Sequence, residues 1–161
     1  MSRVGRAMCP PKRPPLLNRA MRRILRSRLS RLVDRGVMLV TVSGRHTGRP
    51  YTLPVQYVED GDVVWILVGA SHHKTWWRNL VDGGRVDLVM RGHLRQGRGQ
   101  AHTFDQHPAV VKEGLHRYAQ RFPFMARGLG VRNGDEDSLA RAAARTAVVR
   151  IHLDAADGLH G

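Results

Sequence analysis

Cysteine is almost absent. The 161 residues hold only Cys9, followed at once by Pro10 and Pro11, so the chain can form neither an internal disulfide nor a multi-cysteine metal site. A chain that does without disulfides suits a reducing compartment, and the cytoplasm is the expected location. Long apolar runs are missing too. Nothing approaches the roughly 18 apolar residues of a spanning helix, and the N-terminus lacks the apolar segment of a secretory signal. Acid is scarce: 13 Asp and Glu stand against 27 Lys and Arg, for a net charge of +14. Lysine is scarcer still, with 3 against 24 Arg. The excess is uneven, because residues 1–36 carry +10 and the other 125 only +4. With no recognised nucleic-acid motif and a mildly basic remainder, no specific nucleic-acid partner is expected.

The familiar catalytic signatures are missing as well. There is no nucleotide P-loop and no Gly-x-Gly-x-x-Gly fingerprint opening a helix after a strand. Neither Ser43 nor Ser71 sits in a Gly-x-Ser-x-Gly elbow. His72 and His73 are adjacent, which seldom suits one ion, and no carboxylate stands beside them. No metal site is expected.

What is present divides into four stretches. Residues 1–15, with four prolines, read as a disordered basic leader. Residues 16–36 read as an amphipathic helix: Leu17, Met21, Ile24, Leu25, Leu29 and Leu32 fall on one arc, Arg fills the rest, and Gly36 stops it. Such a helix suits either docking on the following domain or an anionic membrane surface. In the second case the protein is peripheral on the inner face of the membrane. Residues 37–154 read as one domain and 155–161 as a tail.

Within the domain the spacing predicts strands over 37–42, 51–59, 62–69, 86–91, 93–104 and 146–153, with a hairpin at Asp60-Gly61. Helices are predicted over 74–81, 108–120 and 136–144. Six short strands with tight turns favour an α+β fold: a mainly antiparallel split β-barrel with flanking helices behind the N-terminal one. Pairing of two chains is one way to manage the open edges of such a barrel.

Two segments could carry chemistry. Gly44-Arg45-His46-Thr47-Gly48-Arg49 joins two strands. Its glycines let the backbone turn, and its two Arg can each grip a phosphate bidentately; otherwise it is a solvated hairpin loop. Ser71-His72-His73-Lys74 leads into a helix start, which favours anions. The Trp76-Trp77 pair beyond it offers a flat surface for an aromatic ring, or simply fills a core.

In this order, Val37–Tyr57 and Ser71–Leu80 resemble the deazaflavin-dependent nitroreductase family, whose members share the FMN-binding split-barrel fold. The matching positions are Gly44, Arg45, Thr47, Gly48, Pro54, Tyr57, Ser71, Trp76, Asn79 and Leu80. Where many members carry Lys this chain has His46, where they carry a basic residue it has Tyr51, and its Ser71 loop is shorter. The resemblance implies a reductase that holds coenzyme F420, with FMN or haem as the alternative ligands on this fold. It implies that Arg45, His46, Thr47, Gly48 and Arg49 grip the phosphate end, and that Pro54, Val55 and Gln56 line the ring with backbone groups. Ala70, Ser71, His72 and Lys74 would close the other side, with Trp77 and Asn79 also at the cofactor. The implied reaction is hydride transfer to a small quinone-like, nitro or enone acceptor. Ser71 is the candidate hydrogen-bond donor, and Tyr118 and Phe122 shape the acceptor pocket. The implied assembly is a homodimer.

Overall fold

The computed structural model describes residues 36–132 and 135–155. The expected leader and amphipathic helix therefore lie outside the described residues, as does most of the tail. The domain is α+β. Seven strands form one antiparallel sheet: β1 Val37–Ser43, β2 Pro50–Gln56, β3 Val58–Asp60, β4 Val63–Val68, β5 Gly84–Met90, β6 His93–Thr103 and β7 Ala147–Leu153. A 3-10 helix, Trp76–Leu80, follows β4. Between β6 and β7 come α1 Pro108–Arg121, α2 Pro123–Gly128 and α3 Glu136–Ala143.

The strand order is β2-β1-β5-β6-β7-β4-β3. Strands β2 and β3 follow one another in the chain with only Tyr57 between them, yet they stand at opposite ends of this order. A flat sheet cannot satisfy that. The sheet must curl until its two edges meet at Tyr57, whose N–H donates to the Gly36 carbonyl at 2.9 Å. The result is a barrel joined along only part of its seam.

The strand expected over 51–59 is thus two strands, each with its own partner. Val55 lies opposite Met38 in β1, whereas Val58 lies opposite Trp65 in β4. Alternation continues through Tyr57, so the sequence shows no break there; barrel closure imposes it. Helix α2 was not anticipated. Pro123 lacks an N–H and suits a first helical position, so it starts a new helix directly after α1 ends at Arg121.

The pleat sorts side chains to two faces. Met38, Val40, Val42, Ile66, Leu88, Val149 and Ile151 point inward and fill the barrel, all essentially inaccessible. A second core lies outside the sheet, where Val111 and Leu115 of α1 cover Trp65 and Val148. Gly114 makes that approach possible: a Cβ there would stand 2.8 Å from Val148 Cγ1.

Candidate functional site

The barrel seam is open where β3 ends. Strand β3 pairs only with Val63–Trp65, leaving the far half of β4 without a neighbour on that side. Strand β2 pairs with β1 alone, along its whole length. Between these two free edges lies a groove of about 580 Å³. Leu53–Gln56 form one wall and Ile66–Gly69 the other, with Lys74, Trp76, Tyr118, Met125 and Leu129 completing it. No carboxylate is among those residues.

The register states which backbone groups face this groove. In an antiparallel ladder, bonded and non-bonded pairs alternate. The Tyr57 N–H bonds Gly36, so Val55, Leu53 and Tyr51 likewise turn their polar groups toward β1. Gln56, Pro54, Thr52 and Pro50 therefore turn theirs toward the free edge. Two of those four are proline, which is tolerated on an edge because no ladder donor is lost. On β4, the Leu153 N–H bonds the Asp62 carbonyl at 2.8 Å, which by the same alternation sends Leu67 N–H and C=O toward the groove. Facing it are thus the carbonyls of Pro54, Gln56 and Leu67 and the N–H groups of Gln56 and Leu67. Val55, expected to offer backbone groups, offers its half-buried side chain instead.

The Gly-Arg loop is a tight turn between β1 and β2. Gly44 N–H donates to Arg49 C=O at 2.9 Å and Gly48 N–H to Gly44 C=O at 2.7 Å. Gly48 has φ +65°, the left-handed region that favours glycine, and a Cβ on Gly44 would fall 2.7 Å from Thr47 Oγ1 unless that side chain turned. Arg45, His46 and Arg49 are exposed. Asn79 holds the loop in place: its Oδ1 accepts from Arg45 N–H at 2.8 Å. Its Nδ2 donates to Tyr51 Oη at 2.5 Å and to Trp76 C=O at 2.9 Å. Desolvation of the Tyr51 hydroxyl raises its pKa, against the lowering effect of the Asn79 bond. Tyr51, a departure from the resembling family, is here a member of this clamp. The loop is thereby fixed to the turn that carries Trp76 into the groove.

The two tryptophans divide their roles. Trp76 lines the groove, whereas Trp77, expected at the cofactor, lies in the barrel core. Its Nε1–H donates to Ser71 C=O at 3.1 Å, so it supports the Ser71 loop from within. Ala70 takes the left-handed conformation at φ +51°. The Ser71 hydroxyl donates to Arg145 C=O at 3.3 Å, pinning the loop to the entry of β7. His72 and His73 are exposed, their rings 4.0 Å apart. Of this loop, Lys74 alone reaches the groove lining. On the opposite wall, Tyr118 Oη–H donates to Gln56 Oε1 at 2.5 Å. Burial raises the Tyr118 pKa, so the phenol stays protonated and remains a donor. Phe122 packs against it, 5.1 Å between centroids.

Sequence reasoning missed the β4 wall, Met125 and Leu129, and of the two tryptophans it offered as a ring surface it put Trp77, not Trp76, at the cofactor. Prolines two turns of the pleat apart, Pro50 and Pro54, were the available signal of a free edge. Two other hollows, of about 510 and 650 Å³, lie by α2 and α3, away from the Gly-Arg loop. Among the described residues, no group of three or more His, Cys, Asp or Glu is placed to hold a metal.

Fold and site together define a split-barrel protein with an apolar, partly backbone-lined groove and a cationic loop at its end. The F420H2-dependent quinone reductase family matches residues 17–122. The chain belongs to that family and is an oxidoreductase of its F420-dependent class. No curated protein matches it. Two solved structures agree on the fold. One, a domain-swapped dimer, is 14% identical over 84% of this chain and 96% of its own, with a TM-score of 0.53. HutZ, the haem storage protein of Vibrio cholerae, is 12% identical over 90% and 93%, with a TM-score of 0.51. An F420-H2 dependent reductase is 14% identical over 73% and 94%, with a TM-score of 0.49.

Proposed function

We propose that the groove between β2 and β4 holds coenzyme F420 and that the protein reduces a quinone-like acceptor beside it, nitro and enone compounds being related acceptors. The observation that carries this reading is the pairing of two free backbone edges with a cationic turn at one end. The groove residues fit such a ligand. Leu53, Val55, Ile66, Val68 and Trp76 supply apolar walls for a planar ring. The free carbonyls and N–H groups of Pro54, Gln56 and Leu67 suit a ring edge that both donates and accepts. Arg45, Arg49 and Lys74 suit an anionic tail, with His46, Thr47 and Gly48 completing the turn and His72 beside Lys74. FMN shares a ring and a phosphate, and is the alternative ligand; haem is the further one, and among the groove residues its iron would fall to Tyr118 or Met125, which here engage Gln56 and each other.

Reduced F420 supplies a hydride when bound, and the protein's part is orientation, water exclusion and charge stabilisation. Trp76 and the β4 wall restrict the ring to one plane. Tyr118, kept protonated by burial, has one O–H; turned from Gln56 Oε1 to a bound acceptor, it would donate to the oxygen on which negative charge develops. Asn79 and Trp77 act through the loops they hold, not on the ligand itself. The Ser71 hydroxyl is engaged by the Arg145 carbonyl, so Ser71 too acts by positioning its loop. Assembly as a homodimer, as in the domain-swapped neighbour, is the expected state of this chain, read by light scattering.

Anaerobic oxidation of reduced F420 by a soluble naphthoquinone tests the activity. The reading expects quinone-dependent oxidation that falls at least tenfold in Tyr118→Phe with little change in coenzyme affinity. Absence of oxidation with quinone, nitroaromatic and enone acceptors alike would contradict it.

A further inference from the structure

Helix α2 carries one large apolar side chain, Phe124, that little in the described residues covers, and beside it Met125, whose Sδ meets Tyr118 Oη at 3.7 Å but which is otherwise half-exposed. Phe124 is 83% exposed and its neighbour Met125 51% exposed. Such exposure on a short helix costs apolar hydration without any packing return, which marks an interaction surface. Basic charge is in excess around it, although Asp135 and Glu136 share a hollow with Pro123 and Arg132. From Gly114 to Gly134 the chain carries Arg117, Arg121, Arg127 and Arg132 and no acid. Arg117 is engaged by Glu113 and Asp60. Among the described residues the other three make no ion pair. The Arg127 guanidinium lies 5.7 Å from the Phe124 ring centre, and that of Arg121 5.1 Å from the Phe122 ring centre.

We infer that α2 is a docking surface for an anionic lipid bilayer. Aromatic and Met side chains flanked by arginines whose aliphatic stems run beside them are the composition that settles at an acyl–headgroup boundary. Anionic headgroups supply the counter-charges that Arg121, Arg127 and Arg132 lack. A second copy of the chain fits less well here: at a net charge of +14 it brings like charge to these arginines. The placement has a consequence for the groove. Met125 and Leu129 line it, so docking through Phe124 sets the groove's opening against the bilayer, and an apolar acceptor enters without crossing water. The lipid contact itself does not depend on what fills the groove; only this route rests on the reading above.

The test uses the full chain as Cys9→Ser with Phe124→Cys, labelled by an environment-sensitive fluorophore. Vesicles are phosphatidylcholine alone or with phosphatidylglycerol added. The expected result is a blue shift and shielding from an aqueous quencher with the anionic vesicles only. Shielding falls several-fold when Arg121 and Arg127 are both changed to Gln. If the chain floats with anionic vesicles while the label stays accessible to quencher, other residues make the contact and the inference fails. It fails equally if the label is shielded without lipid in a concentration-dependent way, which would make α2 a contact between copies. Coenzyme titration of the same labelled protein stands apart from both outcomes.

Discussion

Asn79 does most to connect the fold to the site. One amide serves three partners on two segments: Arg45 N–H, Tyr51 Oη and Trp76 C=O. Its removal leaves each of them without that bond, at about 1–3 kcal/mol for a buried partner and less where water replaces it. Asn79→Ala is therefore expected to weaken F420 binding about tenfold while lowering the melting temperature only modestly. Asn79→Asp, which keeps the acceptor for Arg45, should recover part of the affinity; equal losses in both would refute the clamp. His102 is a different kind of residue. It is 3% exposed, with neither ring nitrogen hydrogen-bonded within the described residues, and its ring meets that of His107 edge-on at 4.8 Å. Desolvation, then Arg150 and His107, lower its pKa from 6.5 to about 4. As pH falls, the unfolded chain takes up this proton before the folded one does. Its contribution to stability is thus whole above pH 6.5 and is lost progressively toward pH 4. Denaturant melts at pH 7 and 4.5 should show that loss, and His102→Leu should reduce it; an unchanged pH dependence would show that other groups set it.

At the scale of elements, local chemistry was readable where it acts locally. Asp60-Gly61 marked the β3–β4 hairpin, Gly44 and Gly48 marked the loop, and the period of α1 was visible from Pro108 onward. The barrel's closure was not readable, because it depends on which strand is free to pair. Tyr51–Glu59 alternates without interruption, yet Val55 and Val58 pair with strands at opposite ends of the sheet. The adjacent tryptophans pose the same problem: only the packed 3-10 helix decides that Trp77 goes inward and Trp76 to the groove. The interface of α1 with the sheet gives a sharp prediction. Gly114→Ala places a methyl 2.8 Å from Val148 and 3.1 Å from Trp65, and neither branched nor ring atoms there can yield freely. Overpacking of this kind costs about 1–3 kcal/mol, despite the better helix propensity of alanine. Calorimetry of Gly114→Ala should show a lower melting temperature; a rise would mean that α1 can shift outward at no cost.

Across the whole molecule, charge and cavity are arranged in series. The groove runs from the apolar end at Met125 and Leu129 to Lys74 and Trp76, and the Asn79 clamp joins that end to Arg45 and Arg49. An amphiphilic ligand with a ring and an anionic tail matches this gradient; a wholly apolar or wholly anionic one matches half of it. No described helix is long and apolar enough to cross a membrane. The central claim is that this groove and this loop together bind F420. Equilibrium fluorescence titration of the intact chain with F420 and with FMN, repeated on Arg45→Ser/Arg49→Ser, tests it most directly. The account predicts saturable F420 binding in the micromolar range or tighter, weakened at least tenfold in the double variant with its melting temperature kept. Absence of F420 binding, or equal affinity in the variant, would contradict it.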